Sequence, residues 1–60
     1  MTLDEARACI GGLVRYTHGD SLGEVVSVND EYVFVRYVDG RGGWQTQPQA
    51  TRPEDLEALP

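Results

Sequence analysis

Residues 12–47 are short runs of β-branched and aromatic residues separated by turn residues, and this alternation constrains the fold more than any other feature of the chain. Such spacing is typical of a meander of short antiparallel strands. We predict strands near 12–17, 22–28, 31–38 and 44–47. Pro48 ends the last of them or confines it to a sheet edge, because proline cannot donate to a strand ladder. The sequence thus predicts a mainly β, antiparallel fold.

The turn between the second and third predicted strands sets their register. Asn29 and Asp30 both tolerate the positive φ of a two-residue hairpin turn. With that register, one face carries Leu22, Val26, Val28, Val33, Val35 and Tyr37, and the other carries Val25, Ser27, Tyr32, Phe34 and Arg36. The first set is more uniformly apolar, so we predict that it forms the core. A slip of one residue would exchange the two sets.

The start of the chain carries the signals of a short helix over residues 2–10. Thr2 and Glu5 have the spacing of a capping box, and Gly11 with Gly12 stops the helix. The apolar residues at helical spacing are Leu3, Ala6 and Ile10. We expect this stripe to cover the second face of the sheet near Phe34, with Cys9 partly shielded.

The segment "TRPEDLEALP" repeats these signals near the other end. Thr51 is the expected N-cap of a helical turn, with Pro53 in its first turn and Glu54 three positions after the cap. Leu56 and Leu59 give this segment an apolar side. The acidic cluster of Glu54, Asp55 and Glu57 suits the positive end of the helix dipole, so we assign it no chemistry.

Sixty residues allow one domain with one small core, which buries only about 60% of the surface of the unfolded chain. We therefore predict a single domain over 1–60, with a helix in 1–11 and a small barrel in 12–60. Ten carboxylates outweigh five basic residues, for a net charge of −5. The basic residues are the scattered arginines Arg7, Arg15, Arg36, Arg41 and Arg52. We expect no specific nucleic-acid binding, since that requires clustered cations.

The reactive side chains are too few and too scattered to predict an enzyme. Cys9 and His18 are the single cysteine and histidine, and a catalytic site needs several groups to converge in a shielded cleft. The sequence predicts no disulfide, metal site or cofactor. It shows neither an apolar run of membrane-spanning length nor a secretory leader, so we expect a cytoplasmic protein that binds no membrane.

The order of segments resembles the Src-homology-3-like small barrels, among them Tudor and KOW domains. The segments are "LVRY", "GEVVSV", "YVFVRY", a glycine-rich turn, a short strand and "PEDLEAL". Gly23, Val25 and Val28 match the G-x-V-x-x-V spacing of the bent second strand in that family, a spacing that a bulged strand would produce. The resemblance covers about residues 12–59 and implies an antiparallel barrel in which a single helical turn precedes the last strand. Nothing after Leu59 can supply a full fifth strand, so we expect either one or two residues of pairing from "EALP" or an open edge.

"YVFVRY" together with "TRPEDLEAL" is also similar to short uncharacterised proteins encoded by phages and prophages. This resemblance implies an accessory or host-directed protein, and it transfers no catalytic residues.

Two aromatic features suggest where a partner binds. The Tudor-like resemblance implies a cage for a methylated cation, for which Tyr16, Tyr37 and Trp44 could supply rings and Asp39 a carboxylate; the alternative is that both tyrosines are core residues with hydroxyls at the rim. Trp44 follows "GRGG" and is either a contact residue or a plug at one barrel end. The predicted protein contacts are Trp44, Arg41, Tyr32, Phe34 and Arg36. We expect a non-catalytic adaptor module with a protein partner, or alternatively a self-associating structural subunit.

Overall fold

A computed structural model describes residues 1–38, Gly43 and residues 47–59, and these form a short helix and one antiparallel sheet. The elements are α1 (Leu3–Ala8), β1 (Leu13–Tyr16), β2 (Leu22–Val28), β3 (Val33–Tyr37), β4 (Gln49–Thr51), a 3-10 turn (Pro53–Asp55) and β5 (Leu56–Ala58). The spatial order is β4-β3-β2-β1-β5, and neighbouring strands are antiparallel. The predicted mainly β class with an N-terminal helix is confirmed.

The hairpin of β2 and β3 differs in register from the prediction. Val28 is the partner of Val33, so the turn spans residues 29–32 rather than two residues. The Asn29 Oδ1 atom accepts the backbone N–H groups of Glu31 (2.8 Å) and Tyr32 (2.6 Å), which stabilises the wider turn. The predicted two-residue turn is therefore wrong, because the Asn29 side chain acts as a backbone mimic.

A bulge at Val26 exchanges the two faces of β2. Val25 pairs with Val35 and Ser27 pairs with Phe34, which leaves Val26 without a partner in the ladder. Val25, predicted on the second face, is 1% exposed, whereas Val26, predicted in the core, is 39% exposed. The same shift places Leu22 on the exposed face. The bulge that the glycine-valine spacing suggested is present, and it makes the predicted core set wrong at these positions.

The core is a small cluster on one face of the sheet. Its buried members are Ala6, Val14, Val25, Val33, Val35 and Leu56, against which Met1, Leu3, Tyr16, Val28 and Tyr37 pack. Burial of each valine contributes about 1.5–3 kcal/mol. The prediction is confirmed for Val33 and Val35, and Val28 and Tyr37 lie at the edge of the same cluster.

Helix α1 covers the core face of the sheet. The capping box is confirmed: the Glu5 N–H donates to Thr2 Oγ1, and the Thr2 N–H donates to Glu5 Oε1, both at 3.1 Å. After the helix, the Gly11 N–H donates to the Val25 carbonyl at 2.8 Å, and the Gly12 carbonyl accepts the Val25 N–H at 3.0 Å. This pairing with β2 holds α1 over Ala6 and the buried valines. The expected position near Phe34 is wrong.

Two residues near the end of α1 show why its stripe is shorter than predicted. The helix ends at Ala8, with Cys9 as its C-cap, so Ile10 lies beyond it and is exposed. Cys9 is half-buried, as expected. Only the Leu3 and Ala6 part of the stripe therefore packs against the sheet.

The closing segment is a 3-10 turn and a strand. Thr51 belongs to β4 and is not an N-cap; Arg52 precedes the turn without a side-chain cap. Leu56 pairs with Tyr16, and the rest of β5 continues along β1 up to the pair of Ala58 with Val14. Glu57 and Ala58 supply the one or two residues of pairing that were expected from "EALP", and Leu56 adds a third, so these residues form a strand where a helical turn was predicted. Of the predicted strand near 44–47, residues 44–46 lie outside the described residues, and β4 is found after Pro48.

Candidate protein-interaction groove

An open groove of about 450 Å³ lies between the tyrosines of the sheet and the β4 segment with its 3-10 turn. Tyr16, Tyr32 and Tyr37 supply aromatic surface. The remaining lining residues are Ser21, Val38, Gln49, Ala50, Thr51, Arg52 and Asp55. The groove therefore combines large aromatic rings with hydroxyl, amide and charged groups, which is the composition found at protein-interaction surfaces.

Tyr16 and Tyr37 form the inner wall of the groove. Their ring centroids are 6.2 Å apart at 78°, an edge-to-face arrangement that stabilises the pair. Both rings pack against the core. The Tyr37 hydroxyl is 2.8 Å from Thr51 Oγ1, which ties β3 to the buried Thr51 of β4. Burial raises the pKa of Tyr37, and the hydrogen bond to Thr51 offsets part of that effect.

Tyr32 is the groove tyrosine whose side chain is least committed to the fold. Its backbone N–H and carbonyl are both bonded to Asn29. Within the described residues, its half-buried ring and hydroxyl have no hydrogen-bond partner. The turn thus fixes the position of Tyr32 and leaves its side chain available to a ligand.

Asp55 is held by the segment that follows β1. Its Oδ1 atom lies 2.8 Å from His18 Nε2. Its backbone carbonyl accepts the Thr17 N–H at 2.9 Å and the Thr17 hydroxyl at 3.2 Å. His18 also packs beside the Tyr16 ring, with centroids 5.5 Å apart. These contacts fix the 3-10 turn against the end of β1, and they occupy the Asp55 carboxylate.

Arg52 is the arginine of the described residues that forms no ion pair with another described residue. Arg7 pairs with Asp4 and Asp30, Arg15 pairs with Asp20 and Glu57, and Arg36 pairs with Glu24. The exposed Arg52 side chain lines the groove and has no ion-pair partner in the part of the chain that the structure describes. Glu57, predicted as part of one acidic cluster with Glu54 and Asp55, lies instead in β5 beside Arg15.

The predicted contact residues do not form one surface. Tyr32 lies in the groove, whereas Phe34 and Arg36 alternate with the buried Val33 and Val35 and so lie on the outer face of the sheet. Arg36 donates to Glu24 there at 2.8 Å. Trp44, Arg41 and Asp39 lie outside the described residues, so the cage and plug predictions for Trp44 stay predictions. The rim positions predicted for Tyr16 and Tyr37 agree with their place between core and groove.

Arg52 and Asp55 are the charged groove residues that were not predicted from the sequence. Both fall in "TRPED", where helix-start signals suggested a solvated helical turn. The position of Arg52 directly before Pro53 could have indicated that a strand ends here, because a residue before proline is held in an extended conformation and often marks the boundary of an element.

The outer face of the sheet is a second exposed surface. Leu13, Leu22 and Val26 are its large exposed apolar residues, and Phe34 lies half-buried on the same face. The hydrogen bond and charge of Glu57 raise the pKa of Arg15 on this face. Apolar surface here is thus interrupted by paired charges.

The described residues hold neither a cluster of metal ligands nor a membrane-spanning helix. No group of three or more histidine, cysteine, aspartate or glutamate side chains there could hold a metal ion. The helices among these residues are all too short and too polar to cross a membrane. Comparison of the chain with protein-family models, with curated proteins and with solved structures gives no match.

Proposed function

We propose that this chain is an SH3-like small barrel that acts as a non-catalytic protein-interaction module and binds a partner segment in the tyrosine-lined groove. Five short antiparallel strands, the last of which pairs with the first, agree with this proposal, and closure between the edge strands β4 and β5 is part of what we propose. A 3-10 turn directly before β5 also agrees with the resemblance to Tudor and KOW domains. The resemblance to phage and prophage proteins adds an accessory or host-directed role to this proposal, and the cytoplasm is the proposed location.

The observation that carries the proposal is the composition of the groove. Tyrosine and arginine are enriched among residues that dominate binding energy at interfaces, and the groove brings Tyr32 and Arg52 together with two further tyrosines. A non-catalytic role fits the groove, since among the described residues no hydrogen bond joins the His18 imidazole to a serine, threonine or cysteine side chain that it could activate.

Selection from a random dodecapeptide library displayed on phage tests the proposal. Binders should be enriched on the immobilised protein, and NMR shift mapping of one synthetic binder should place it at the groove. Tyr32→Ala should weaken that binder about tenfold or more, the effect of a hot-spot tyrosine. Phe34→Ala on the outer face is the matched control and should leave affinity within about twofold. Enrichment of nothing, or shifts confined to the outer face, would contradict the proposal.

Self-association is the second candidate function, and the outer face favours it. Leu13, Leu22 and Val26 are exposed there, and burying them against a second copy would contribute hydrophobic free energy. Light scattering over a concentration series distinguishes the two candidates. A dimer that Val26→Asp converts to a monomer would support the structural subunit, whereas a monomer at every concentration would support the adaptor.

A further inference from the structure

We infer that the partner segment carries a carboxylate beside an apolar side chain, with Arg52 binding the carboxylate and the tyrosines contacting the apolar group. This inference rests on the proposed function and names the chemistry of its ligand. It follows from the charges that the fold leaves uncompensated at the groove.

Ion pairs engage the other three arginines that the structure describes, Arg7, Arg15 and Arg36. The Arg7 guanidinium is 2.9 Å from Asp4, and that of Arg36 is 2.8 Å from Glu24. The Arg15 guanidinium contacts the carboxylates of Asp20 and Glu57. A guanidinium presents a planar fork of donors that matches a carboxylate in bidentate geometry. Among the described residues, Arg52 is the arginine whose fork is unoccupied, and it borders the groove.

The backbone around Arg52 is fixed before any ligand binds. Its φ of −68° and ψ of 136° are the extended values that a following proline requires. Its carbonyl accepts the Asp55 N–H at 3.0 Å, which closes the 3-10 turn. On the other side, Thr51 is buried and bonded to Tyr37. On this side of the groove, binding therefore orders side chains and not the backbone around Arg52, which lowers the entropic cost of association.

The opposite assignment, a cationic ligand on Asp55, is weaker. His18 Nε2 already lies 2.8 Å from the Asp55 carboxylate, and only 24% of that side chain is exposed. The net charge of −5 disfavours an acidic partner at long range. At about 0.15 M salt, however, interactions between exposed charges beyond roughly 8 Å are largely screened. The local contact with Arg52, and not the net charge, therefore determines whether a carboxylate binds. A nucleic acid is disfavoured as well, because phosphate tracking needs several free cations in a row.

A double-mutant cycle between protein and peptide tests the inference. The dodecapeptide library is selected separately on the wild-type protein and on Arg52→Gln. The tightest wild-type binder is then synthesised with fluorescein, both with its selected carboxylate and with the matching amide. At 0.15 M salt, the amide should weaken binding to the wild type by about tenfold or more, as expected for a charge-assisted pair. On Arg52→Gln the same change should cost less than about twofold.

Control variants separate the arginine contact from other effects. Arg36→Gln removes the same charge on the outer face of the sheet and should bind like the wild type. Arg52→Lys keeps the charge without the bidentate fork and should fall between the wild type and Arg52→Gln; it also serves as the test variant if Arg52→Gln does not fold by circular dichroism. Peptides with a free or an amidated C-terminus show whether the carboxylate is terminal or a side chain.

The outcomes distinguish the two levels of the proposal. Groove binders with no carboxylate preference, or an equal amide effect on both proteins, would overturn the inference and leave the adaptor function standing. Failure to enrich any groove binder would overturn the adaptor function and the inference with it. Binding of a 12-nucleotide oligothymidine that depends on Arg52 would overturn the assignment of a peptide carboxylate.

Discussion

Gly23 provides the sharpest test of how the sheet is packed, because a methyl group has no space at this position. A Cβ there would lie 2.5 Å from Val35 Cγ1, 3.0 Å from the Arg36 carbonyl oxygen and 3.0 Å from Tyr37 Cδ1. Val35 is fully buried, and Gly23 is the register partner of Tyr37. None of these atoms can move away without disturbing the core or the β2–β3 ladder.

The expected cost of Gly23→Ala follows from this crowding. Forcing a methyl group into a packed core costs about 1–3 kcal/mol. The loss of chain entropy in the unfolded state offsets about 0.4–1 kcal/mol of it. We expect a net loss of about 1–2 kcal/mol from a total stability of roughly 3–9 kcal/mol for a domain of this size. The melting temperature should fall by about 4–8 °C for each kcal/mol lost.

Two other glycines are matched controls for the same substitution. At Gly19 the nearest atom to a new Cβ is Tyr16 Cδ2 at 3.6 Å, an ordinary contact, so Gly19→Ala should be neutral or stabilising by about 0.4–1 kcal/mol. Gly11 has a φ of 86° and open space around it, so Gly11→Ala should show only the left-handed strain of about 1–2 kcal/mol. The three variants separate crowding from backbone strain.

Urea unfolding followed by circular dichroism measures all three variants. The midpoint should shift while the slope of free energy against urea stays constant, since the surface exposed on unfolding is unchanged. A Gly23→Ala protein within about 0.5 kcal/mol of the wild type would refute the packing argument, because surface-like changes have that size. An equal loss in Gly19→Ala would refute it as well, since the loss would then be generic.

The remaining predictions concern the helix, one tyrosine and nucleic acid. Thr2→Ala should cost about 0.5–2 kcal/mol in urea unfolding because it removes the cap of α1; Ser27→Ala removes an exposed hydroxyl that caps no helix and is its control, and an unchanged Thr2→Ala midpoint would contradict the role of the cap. Deleting residues 1–10 should uncover the core face, lower stability and increase binding of a hydrophobic dye, whereas a truncated monomer of wild-type stability would show that α1 protects nothing. Burial raises the pKa of Tyr37 above its ordinary value of 10.0, so the stability that the neutral hydroxyl contributes is complete below pH 10 and is lost as the pH rises through the folded pKa. Tyr37→Phe should flatten the decline of the melting temperature in that range, and an identical decline in both proteins would disprove this. A mobility-shift assay at low salt, where electrostatic binding is strongest, should show no complex with duplex DNA, and a tight shift would disprove the expectation drawn from charge.

The start of α1 could be predicted from sequence because its determinants are local. Thr2 and Glu5 satisfy each other within four residues, so no distant contact is needed to form the capping box. The placement of the helix could not be predicted in the same way. It depends on the hydrogen bonds between Val25 and the Gly11–Gly12 link, which exist only once β2 has formed.

The hairpin and the closing segment show where local signals fail. The strands of the hairpin were recognisable, but its register depended on the bulge at Val26 and on the side chain of Asn29. In the closing segment, Pro53 and the acidic residues after it favour a helix start. Pairing of Leu56–Ala58 with β1 limits that helix to one 3-10 turn. Tertiary pairing thus overrides a local propensity that is worth well under 1 kcal/mol per residue.

The groove was only partly predictable for the same reason. The proximity of Tyr16 and Tyr37 followed from the expected strand arrangement. The positions of Arg52 and Asp55 follow from the 3-10 turn and from the contacts of Asp55 with Thr17 and His18. No short-range pattern in the sequence encodes those contacts.

The double pairing of β1 has a consequence for the order of folding. β2 follows β1 closely in the chain, whereas β5 comes after almost all of the remaining residues. The three-strand meander of β1, β2 and β3 can form from nearby segments, but the second edge of β1 stays open until Leu56–Ala58 arrives. Pairings between distant segments form slowly because a long loop must close first. During synthesis the open edge of β1 is therefore the surface most exposed to pairing with another chain.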